Sequence, residues 1–317
     1  MQIMKSFFIE SYGGLEVMKY GDIPEPVLSP GRILVQVKAV SINPVDYKIR
    51  QGDIRFITGS KFPKILGADF AGIVKDIPQN SITFKTGDKV YGYLPLYKRQ
   101  PGALAEYAVV RPEQIRPVPG SLTLEEAAAL PIAALTALSG LRKCGSIQGK
   151  KILVNGATGG VGHFAMQIAR AWGGVITAVC STRNIELAKK LGAAEIIDYN
   201  KENFIQSGKI FDIIFDAYGK LTFSEVTQTL KDKGVYATTL FTFSWIIPNF
   251  LQRLTGGKKI VAANMRSRPK DFIELEQLLA SRLVKPYIEQ IFPLPQSTEA
   301  FRILETGRAR GKIIITI

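Results

Sequence analysis

The 317-residue chain is long enough for two ordinary domains, and its 46% apolar and 21% charged residues are typical of a soluble globular protein. This composition excludes a disordered chain, a collagen-like repeat and a disulfide scaffold. The 41 Lys and Arg exceed the 27 Asp and Glu by 14 charges, which favours an anionic partner. Nucleic acid, an acidic membrane surface and a phosphorylated small molecule all fit that charge.

Extended runs separated by glycine and proline turns fill the first 120 residues. Strands at this spacing predict an antiparallel β barrel or sandwich. The runs are 32–40, 72–74, 89–93 and 105–110.

Apolar runs then alternate with helical patterns through the middle of the chain. The runs are uninterrupted, which is typical of parallel strands covered on both faces, and their alternation with helices predicts a doubly wound α/β sheet. They are 151–155, 175–180, 195–199, 211–216, 234–240 and 259–263. After residue 265 we expect a helix at 271–281, a strand near Tyr287, a helix at 298–306 and a final strand at 313–317.

Cysteine and histidine are too rare for most metal sites. Cys144 and Cys180 are the only cysteines, and His163 is the only histidine. A four-cysteine zinc site is therefore excluded, and a site with two cysteines and one histidine would need all three residues. We expect no metal. Because two cysteines fit a reducing compartment and the start of the chain lacks a signal-peptide pattern, we expect a cytoplasmic location.

A glycine-rich turn between the first apolar run of the middle segment and a helix carries the strongest signal. Its spacing is Gly156-x-x-Gly159-x-x-Gly162, and its placement is that of a dinucleotide-binding turn. Bare backbone and the positive end of the helix stabilise a diphosphate there. The residues expected to bind the coenzyme are Gly156, Ala157, Thr158, Gly159, Gly160, Val161 and Gly162.

The end of the second run indicates which coenzyme is bound. About 20 residues past the glycines, an NAD site would place Asp or Glu on the ribose 2′-hydroxyl. The chain instead has Ser181 and Arg183, a hydroxyl and a guanidinium suited to a 2′-phosphate. We therefore expect NADPH rather than NADH.

The whole chain resembles the medium-chain dehydrogenase/reductase superfamily, in its zinc-free quinone oxidoreductase branch. In zinc-dependent members a histidine and a glutamate occupy the segment where Ala68 and Asp69 stand here. The segments that carry the resemblance are 40–48, 63–72, 86–90, 156–162 and 181–184.

The resemblance implies a GroES-like antiparallel β catalytic domain at the N-terminus and a Rossmann domain with a parallel sheet. It also implies a C-terminal segment that returns to the first domain. We place the boundaries at 1–123 for the catalytic domain, 124–264 for the NADPH-binding domain and 265–317 for the C-terminal segment.

The resemblance also implies two catalytic residues, Asn43 and Tyr47, facing the nicotinamide. Tyr47 donates a hydrogen bond or a proton and Asn43 holds substrate, although Asn43 and Pro44 also fit a plain turn and water is an alternative proton source. Further coenzyme contacts are expected from Thr136, Tyr199, Ala217, Leu240, Phe241, Arg310 and Lys312. For Arg310 and Lys312, plain solvation is the alternative.

These features predict a zinc-independent, NADPH-dependent oxidoreductase that transfers a hydride to a quinone or an α,β-unsaturated carbonyl compound. The alternatives are an enoyl-thioester reductase and an NADPH-binding sensor or structural protein with little turnover. No nucleic acid is expected, because the basic residues form no dense run interleaved with aromatics. Any membrane contact should be peripheral, and a homodimer is compatible with the family.

Overall fold

The computed structural model describes residues 2–78, 83–95, 100–240 and 257–317. The chain divides into two units, of which Met1–Ile132 with Pro286–Ile317 forms the first and Ala133–Lys285 forms the second. Of the C-terminal segment expected at 265–317, residues 286–317 therefore complete the unit that the N-terminal segment begins, whereas residues 265–285 belong to the second unit.

Strands and helices are numbered here in chain order. The strands are β1 (Ile3–Ile9), β2 (Met18–Pro24), β3 (Ile33–Ser41), β4 (Lys64–Ile65), β5 (Asp69–Asp76), β6 (Lys89–Tyr93), β7 (Tyr107–Val110), β8 (Ile115–Pro117), β9 (Lys151–Asn155), β10 (Val175–Cys180), β11 (Glu195–Asp198), β12 (Phe211–Asp216), β13 (Leu230–Thr238), β14 (Lys259–Ala262), β15 (Ile288–Pro293) and β16 (Lys312–Thr316). The helices are α1 (Pro44–Gln51), α2 (Arg55–Thr58), α3 (Leu124–Ala128), α4 (Pro131–Lys143), α5 (Gly162–Ala171), α6 (Ile185–Lys190), α7 (Phe223–Val226), α8 (Pro269–Ala280) and α9 (Ser297–Glu305).

The first unit is built on a mainly antiparallel sheet with the order β15-β16-β3-β5-β6-β8, and β7 also pairs with β3. Ile33, Val35 and Val37 alternate with less buried neighbours along β3, as expected for a strand with one face on a core. The last strand joins this sheet directly, with Ile315 paired antiparallel to Val40. The predicted N-terminal antiparallel domain is confirmed.

The second unit is a six-stranded sheet in the order β11-β10-β9-β12-β13-β14, and every pairing in it is parallel. The first strand of the unit, β9, thus lies in the middle, with β10 and β11 on one side and β12, β13 and β14 on the other. This is the doubly wound Rossmann order, whose ligand crevice lies beyond the carboxyl ends of the strands where the order reverses. The predicted parallel sheet is confirmed.

One boundary in the second unit differs from the sequence expectation. We expected a strand at 234–240, but β13 already begins at Leu230, four residues after α7 ends at Val226. Lys233 has φ = +62° within this strand, and the pairing with β12 shifts register near Phe211. The irregularity interrupts the strand pattern, which explains why the sequence did not reveal its first half.

No helix among the residues that the structure describes has the length and apolar character needed to cross a bilayer.

Candidate coenzyme and catalytic site

A left-handed backbone conformation and a close backbone approach require glycine at the two ends of the turn between β9 and α5. Gly156 has φ = +70°, a left-handed conformation that residues with a Cβ rarely adopt. A Cβ added at Gly162 would lie 2.1 Å from the carbonyl oxygen of Gly156, far inside van der Waals contact. At Gly159 the same oxygen would be 3.4 Å away, which is tolerable. The first and last glycines therefore close the turn.

The turn presents backbone to a ligand at the start of α5. Its middle residues Gly159, Gly160 and Val161 are partly exposed, whereas Ala157 and Thr158 are buried. The Ala157 amide donates to the Val179 carbonyl at 3.1 Å, so Ala157 ties the turn to β10 rather than offering an amide. The first amides of any helix lack intrahelical partners and lie at its positive end. This arrangement fits the diphosphate of a dinucleotide.

The turn that follows β10 is held against the glycine turn. Ser181 is mostly buried and Arg183 is exposed. The Asn184 side-chain amide donates to Thr158 Oγ1 at 2.9 Å, and Thr182 Oγ1 donates to Asp198 Oδ2 at 2.5 Å. The structure thus brings Ser181 and Arg183 beside the glycine turn.

A buried carboxylate that sequence reasoning missed organises the neighbouring strand ends. Asp216 Oδ1 accepts hydrogen bonds from Asn155 Nδ2 at 2.8 Å and from the Gly219 amide at 3.0 Å. Its Oδ2 accepts from the Leu221 amide at 3.1 Å and from the Tyr236 hydroxyl at 3.0 Å. Burial, with the nearby carboxylate charge, raises the pKa of Tyr236, so its hydroxyl stays protonated. The sequence signal that could have revealed this group is that β9 and β12 each end in a polar residue, Asn155 and Asp216.

The remaining coenzyme candidates of the second unit lie at separate points. Thr136 is buried in α4, and Ala217 follows β12 with its amide donating to the Asn155 carbonyl at 3.0 Å. Tyr199 follows β11 and is 56% exposed, and Leu240 lies two residues past the end of β13 and is 45% exposed. Phe241 lies outside the described residues.

His163 and the two cysteines have packing roles. His163 is fully buried, and its Nδ1 lies 2.9 Å from the Gly159 carbonyl oxygen, which fixes the ring to the turn. Burial raises the pKa of the Cys144 thiol to about 12 and that of Cys180 to about 11. Neither thiol therefore supplies an appreciable thiolate at neutral pH.

In the first unit, a buried polar cluster surrounds the start of α1. Lys312 Nζ donates to Asn43 Oδ1 at 2.5 Å, and the Asn43 amide donates to the Ser41 carbonyl at 3.1 Å and to Asp69 Oδ2 at 2.9 Å. Asp46 accepts from the Asn43 backbone amide at 2.7 Å. This last bond satisfies a helix-end donor, and Pro44 at the first helical position reinforces the helix start.

These contacts show how three of the expected site residues are bonded. Both amide hydrogens and the carbonyl oxygen of Asn43 have partners inside the unit and fix the start of α1, while its role in holding substrate stays a prediction. Lys312 is 4% exposed and bonded to Asn43, so its ammonium does not reach out to a diphosphate. Arg310 is bonded through Nε to Glu289 Oε1 at 2.9 Å. Tyr47, half-buried on α1, packs against the core of the unit.

Burial dominates the titration of the cluster. Loss of hydration raises the pKa of Asp46 to about 6 and that of Asp69 to about 7, the latter against the opposing charge of Lys312. Burial also lowers the pKa of Lys312. In the described part of the chain, no group of three or more His, Cys, Asp and Glu side chains is placed to hold a metal ion.

Comparisons with known proteins agree with this architecture. Residues 29–120 match the alcohol dehydrogenase GroES-like domain, and residues 191–315 match the family described as zinc-binding dehydrogenase. The chain is 34% identical to the mitochondrial NAD(P)H oxidoreductase RTN4IP1 of Bos taurus, over 99% of this chain and 89% of the relative. It is 35% identical to the 2-methylene-furan-3-one reductase of Solanum lycopersicum, over 98% of this chain and 79% of the relative.

A solved structure gives the same result for the whole fold. The quinone oxidoreductase of Coxiella burnetii superposes with a TM-score of 0.91 at 29% identity, covering 100% of both chains.

The relatives overturn one expectation from the sequence. Several of them carry mitochondrial or chloroplastic names, which contradicts the expected cytoplasmic location. That expectation rested on cysteine usage and the start of the chain, and neither feature distinguishes the cytosol from an organelle interior.

Replacing Gly162 by Ala should weaken nicotinamide coenzyme binding, because the added Cβ would meet the Gly156 carbonyl oxygen and push the start of α5 away. We expect dissociation constants for NADPH and NADH to rise at least about tenfold in fluorescence titrations. Gly120→Ala is the control, since nothing lies within 4 Å of its added Cβ. Unchanged affinity in Gly162→Ala would contradict the geometry described for the turn.

The Asp46 pKa predicts a pH-dependent effect on stability. Because burial raises this pKa from 3.8 to about 6, the folded state binds the proton more tightly, and wild-type stability from this group falls as pH rises from about 4 to about 6. Relative to wild type, Asp46→Asn should therefore gain up to about 3 kcal/mol between pH 4 and pH 7 in urea unfolding. The exposed Asp53→Asn should show no such trend, and a difference that is flat with pH in Asp46→Asn would disprove the assignment.

Proposed function

The chain is an oxidoreductase of the medium-chain dehydrogenase/reductase superfamily, and from this premise we propose that it is a zinc-independent, NADPH-dependent reductase of quinones or α,β-unsaturated carbonyl compounds. The observation that carries the proposal is the placement of the Arg183 turn directly against the glycine turn through the Asn184–Thr158 hydrogen bond. One surface of the second unit then offers helix-start amides for a diphosphate and a guanidinium for a second phosphate.

The charge around the coenzyme site supports the phosphorylated coenzyme. No carboxylate follows β10, and the nearest strand-end carboxylate, Asp198, accepts hydrogen bonds from Thr182 and the Asn200 amide. The second unit carries 21 Lys and Arg against 11 Asp and Glu, whereas the first carries 20 against 16. This surplus attracts an anion over long range and raises its encounter rate.

The sequence limits the kind of acceptor. A zinc site with two cysteines and one histidine would need Cys144, Cys180 and His163 together, and among the described residues no three His, Cys, Asp or Glu side chains are grouped to hold a metal ion that could polarise an alcohol or simple carbonyl oxygen. The acceptor should therefore already be electrophilic, as quinones and conjugated enones are. The tomato relative is named as a reductase of 2-methylene-furan-3-one, a conjugated enone, and the Coxiella relative is named as a quinone oxidoreductase.

NADPH would supply the hydride, and the residues of the chain would bind, orient and supply the proton. The glycine turn and Arg183 would hold the phosphates, while Thr136, Tyr199, Ala217, Leu240 and Phe241 would contact the remainder of the coenzyme. Tyr47 would donate a hydrogen bond or proton to the substrate oxygen, from a helix whose start is fixed by the Asn43 and Asp46 bonds. Donors directed at an oxygen that gains negative charge lower the barrier of such a reaction.

The proposed activity predicts steady NADPH oxidation with a panel of small quinones and enals. Tyr47→Phe should lower kcat about a hundredfold with little effect on KM, because only proton or hydrogen-bond donation is lost. Tyr20→Phe, an exposed tyrosine of the same unit, is the matched control. Absence of turnover across the panel would overturn the proposed function, and normal kcat in Tyr47→Phe would assign the proton to water.

Arg183→Ala should weaken NADPH binding about ten- to a hundredfold and leave NADH binding almost unchanged, because only NADPH carries the 2′-phosphate. Direct titration of both coenzymes measures this difference. Lys190→Ala is the control, since it removes one exposed positive charge of the same unit from α6. Equal weakening of both coenzymes by Arg183→Ala would show that Arg183 does not recognise the 2′-phosphate.

A further inference from the structure

Arg183 is an exposed side chain whose chain neighbours are both anchored. On one side Thr182 Oγ1 donates to Asp198 Oδ2 at 2.5 Å, and on the other Asn184 Nδ2 donates to Thr158 Oγ1 at 2.9 Å. The turn is also closed by a backbone hydrogen bond, in which the main-chain amide of Asn184 donates to the Ser181 carbonyl at 2.8 Å. The backbone that carries Arg183 therefore has little freedom to move.

The Asn184–Thr158 hydrogen bond, called here the 158–184 link, joins two separate parts of the coenzyme site. Thr158 belongs to the glycine turn and is 4% exposed, and Asn184 belongs to the Arg183 turn and is 7% exposed. A backbone bond from Ala157 to Val179 already ties the glycine turn to the strand before Arg183. The 158–184 link adds a side-chain hydrogen bond between the glycine turn and the residue that follows Arg183.

The Asn184 side chain is an unusual choice for packing alone. Its side-chain oxygen Oδ1 is buried and has no hydrogen-bond partner among the described residues. The side-chain nitrogen Nδ2 donates to Thr158 Oγ1. An unpaired buried acceptor destabilises a folded protein, and an apolar side chain of similar shape would avoid this. Within the described residues, the hydrogen bond that the Asn184 side chain makes is therefore the one to Thr158.

We propose that Asn184 is a positioning residue whose link to Thr158 fixes Arg183 at the distance from the glycine turn that a 2′-phosphorylated dinucleotide requires. The inference rests on the proposed NADPH dependence. The diphosphate and the 2′-phosphate are parts of one ligand, separated by a single ribose, so two recognition elements that bind them must keep a constant separation. A preformed separation removes the ordering entropy that a mobile Arg183 would lose on binding.

The inference is tested by titrating NADPH and NADH into wild type, Asn184→Leu, Arg183→Ala and the double variant. The readout is the ratio of the NADH to the NADPH dissociation constant. Asn184→Leu should lower this ratio about tenfold, and it should have no further effect on the ratio when Arg183 is already Ala. Thermal unfolding of each variant separates this effect from a general loss of structure, since Asn184→Leu removes the unpaired acceptor but also leaves Thr158 Oγ1 without its donor.

Thr158→Val and Thr158→Ser test the link from its other partner. Valine removes the hydroxyl and should lower the ratio by the same factor, although it leaves Asn184 unpaired and should lower Tm. Serine keeps the hydroxyl and should retain the wild-type ratio. If Asn184→Leu does not fold, this pair carries the same comparison.

The outcomes separate the inference from the function on which it rests. An unchanged ratio in Asn184→Leu or Thr158→Val, or equal weakening of both coenzymes, overturns the positioning role while Arg183 keeps its own. A wild-type protein without preference for NADPH, or an Arg183→Ala variant that retains the preference, overturns the coenzyme assignment and the inference with it.

Discussion

The close contact between Gly162 and the carbonyl oxygen of Gly156 is the constraint on which the coenzyme site depends. Because no Cβ fits there, α5 can begin immediately after β9 and bring its unpaired amides to the carboxyl edge of the sheet. A wider turn would move the positive helix end away from that edge. The remaining contacts of the site preserve this arrangement.

Two buried polar groups hold the strand ends on either side of the glycine turn. Asp216 connects β12 to Asn155 at the end of β9, and Tyr236 joins the same carboxylate from β13. On the other side the 158–184 link connects the glycine turn to the residues after β10. A buried carboxylate with four donors is rigid, since losing any donor would leave a charge poorly solvated. The strand ends on both sides of the glycine turn are therefore held in place by buried hydrogen bonds.

The first unit uses the same principle at a different place. Lys312 on the last strand and Asn43 at the start of α1 are 269 residues apart in the chain, yet their bond joins the C-terminal strand to the helix that carries Tyr47. Because Lys312, Asn43 and Asp69 are buried together, removing one would take a hydrogen bond or an opposite charge from the others in a place that water does not reach. The C-terminal segment is thus part of the N-terminal unit in both pairing and polar contacts.

The features that the sequence predicts correctly are those with local signals. Uninterrupted apolar runs indicate the parallel strands, and the glycine spacing indicates the turn, because the cause and the residue lie within a few positions of each other. The burial of Lys312 and the hydrogen bonds of the Asn43 side chain could not be predicted from local patterns, since Lys312 and Asp69 are distant from Asn43 in the chain. The same holds for the link between Asn184 and Thr158, and for β13, whose irregular start at Lys233 interrupts the pattern.

A crystal structure of the protein with NADPH bound tests the central claim most directly. We predict that the diphosphate lies against the amides of residues 160–162, since the Gly159 amide already donates to the Gly156 carbonyl, and that the 2′-phosphate lies within hydrogen-bond distance of Arg183 and Ser181. A 2′-phosphate directed into solvent, or a diphosphate bound away from the start of α5, would contradict the account.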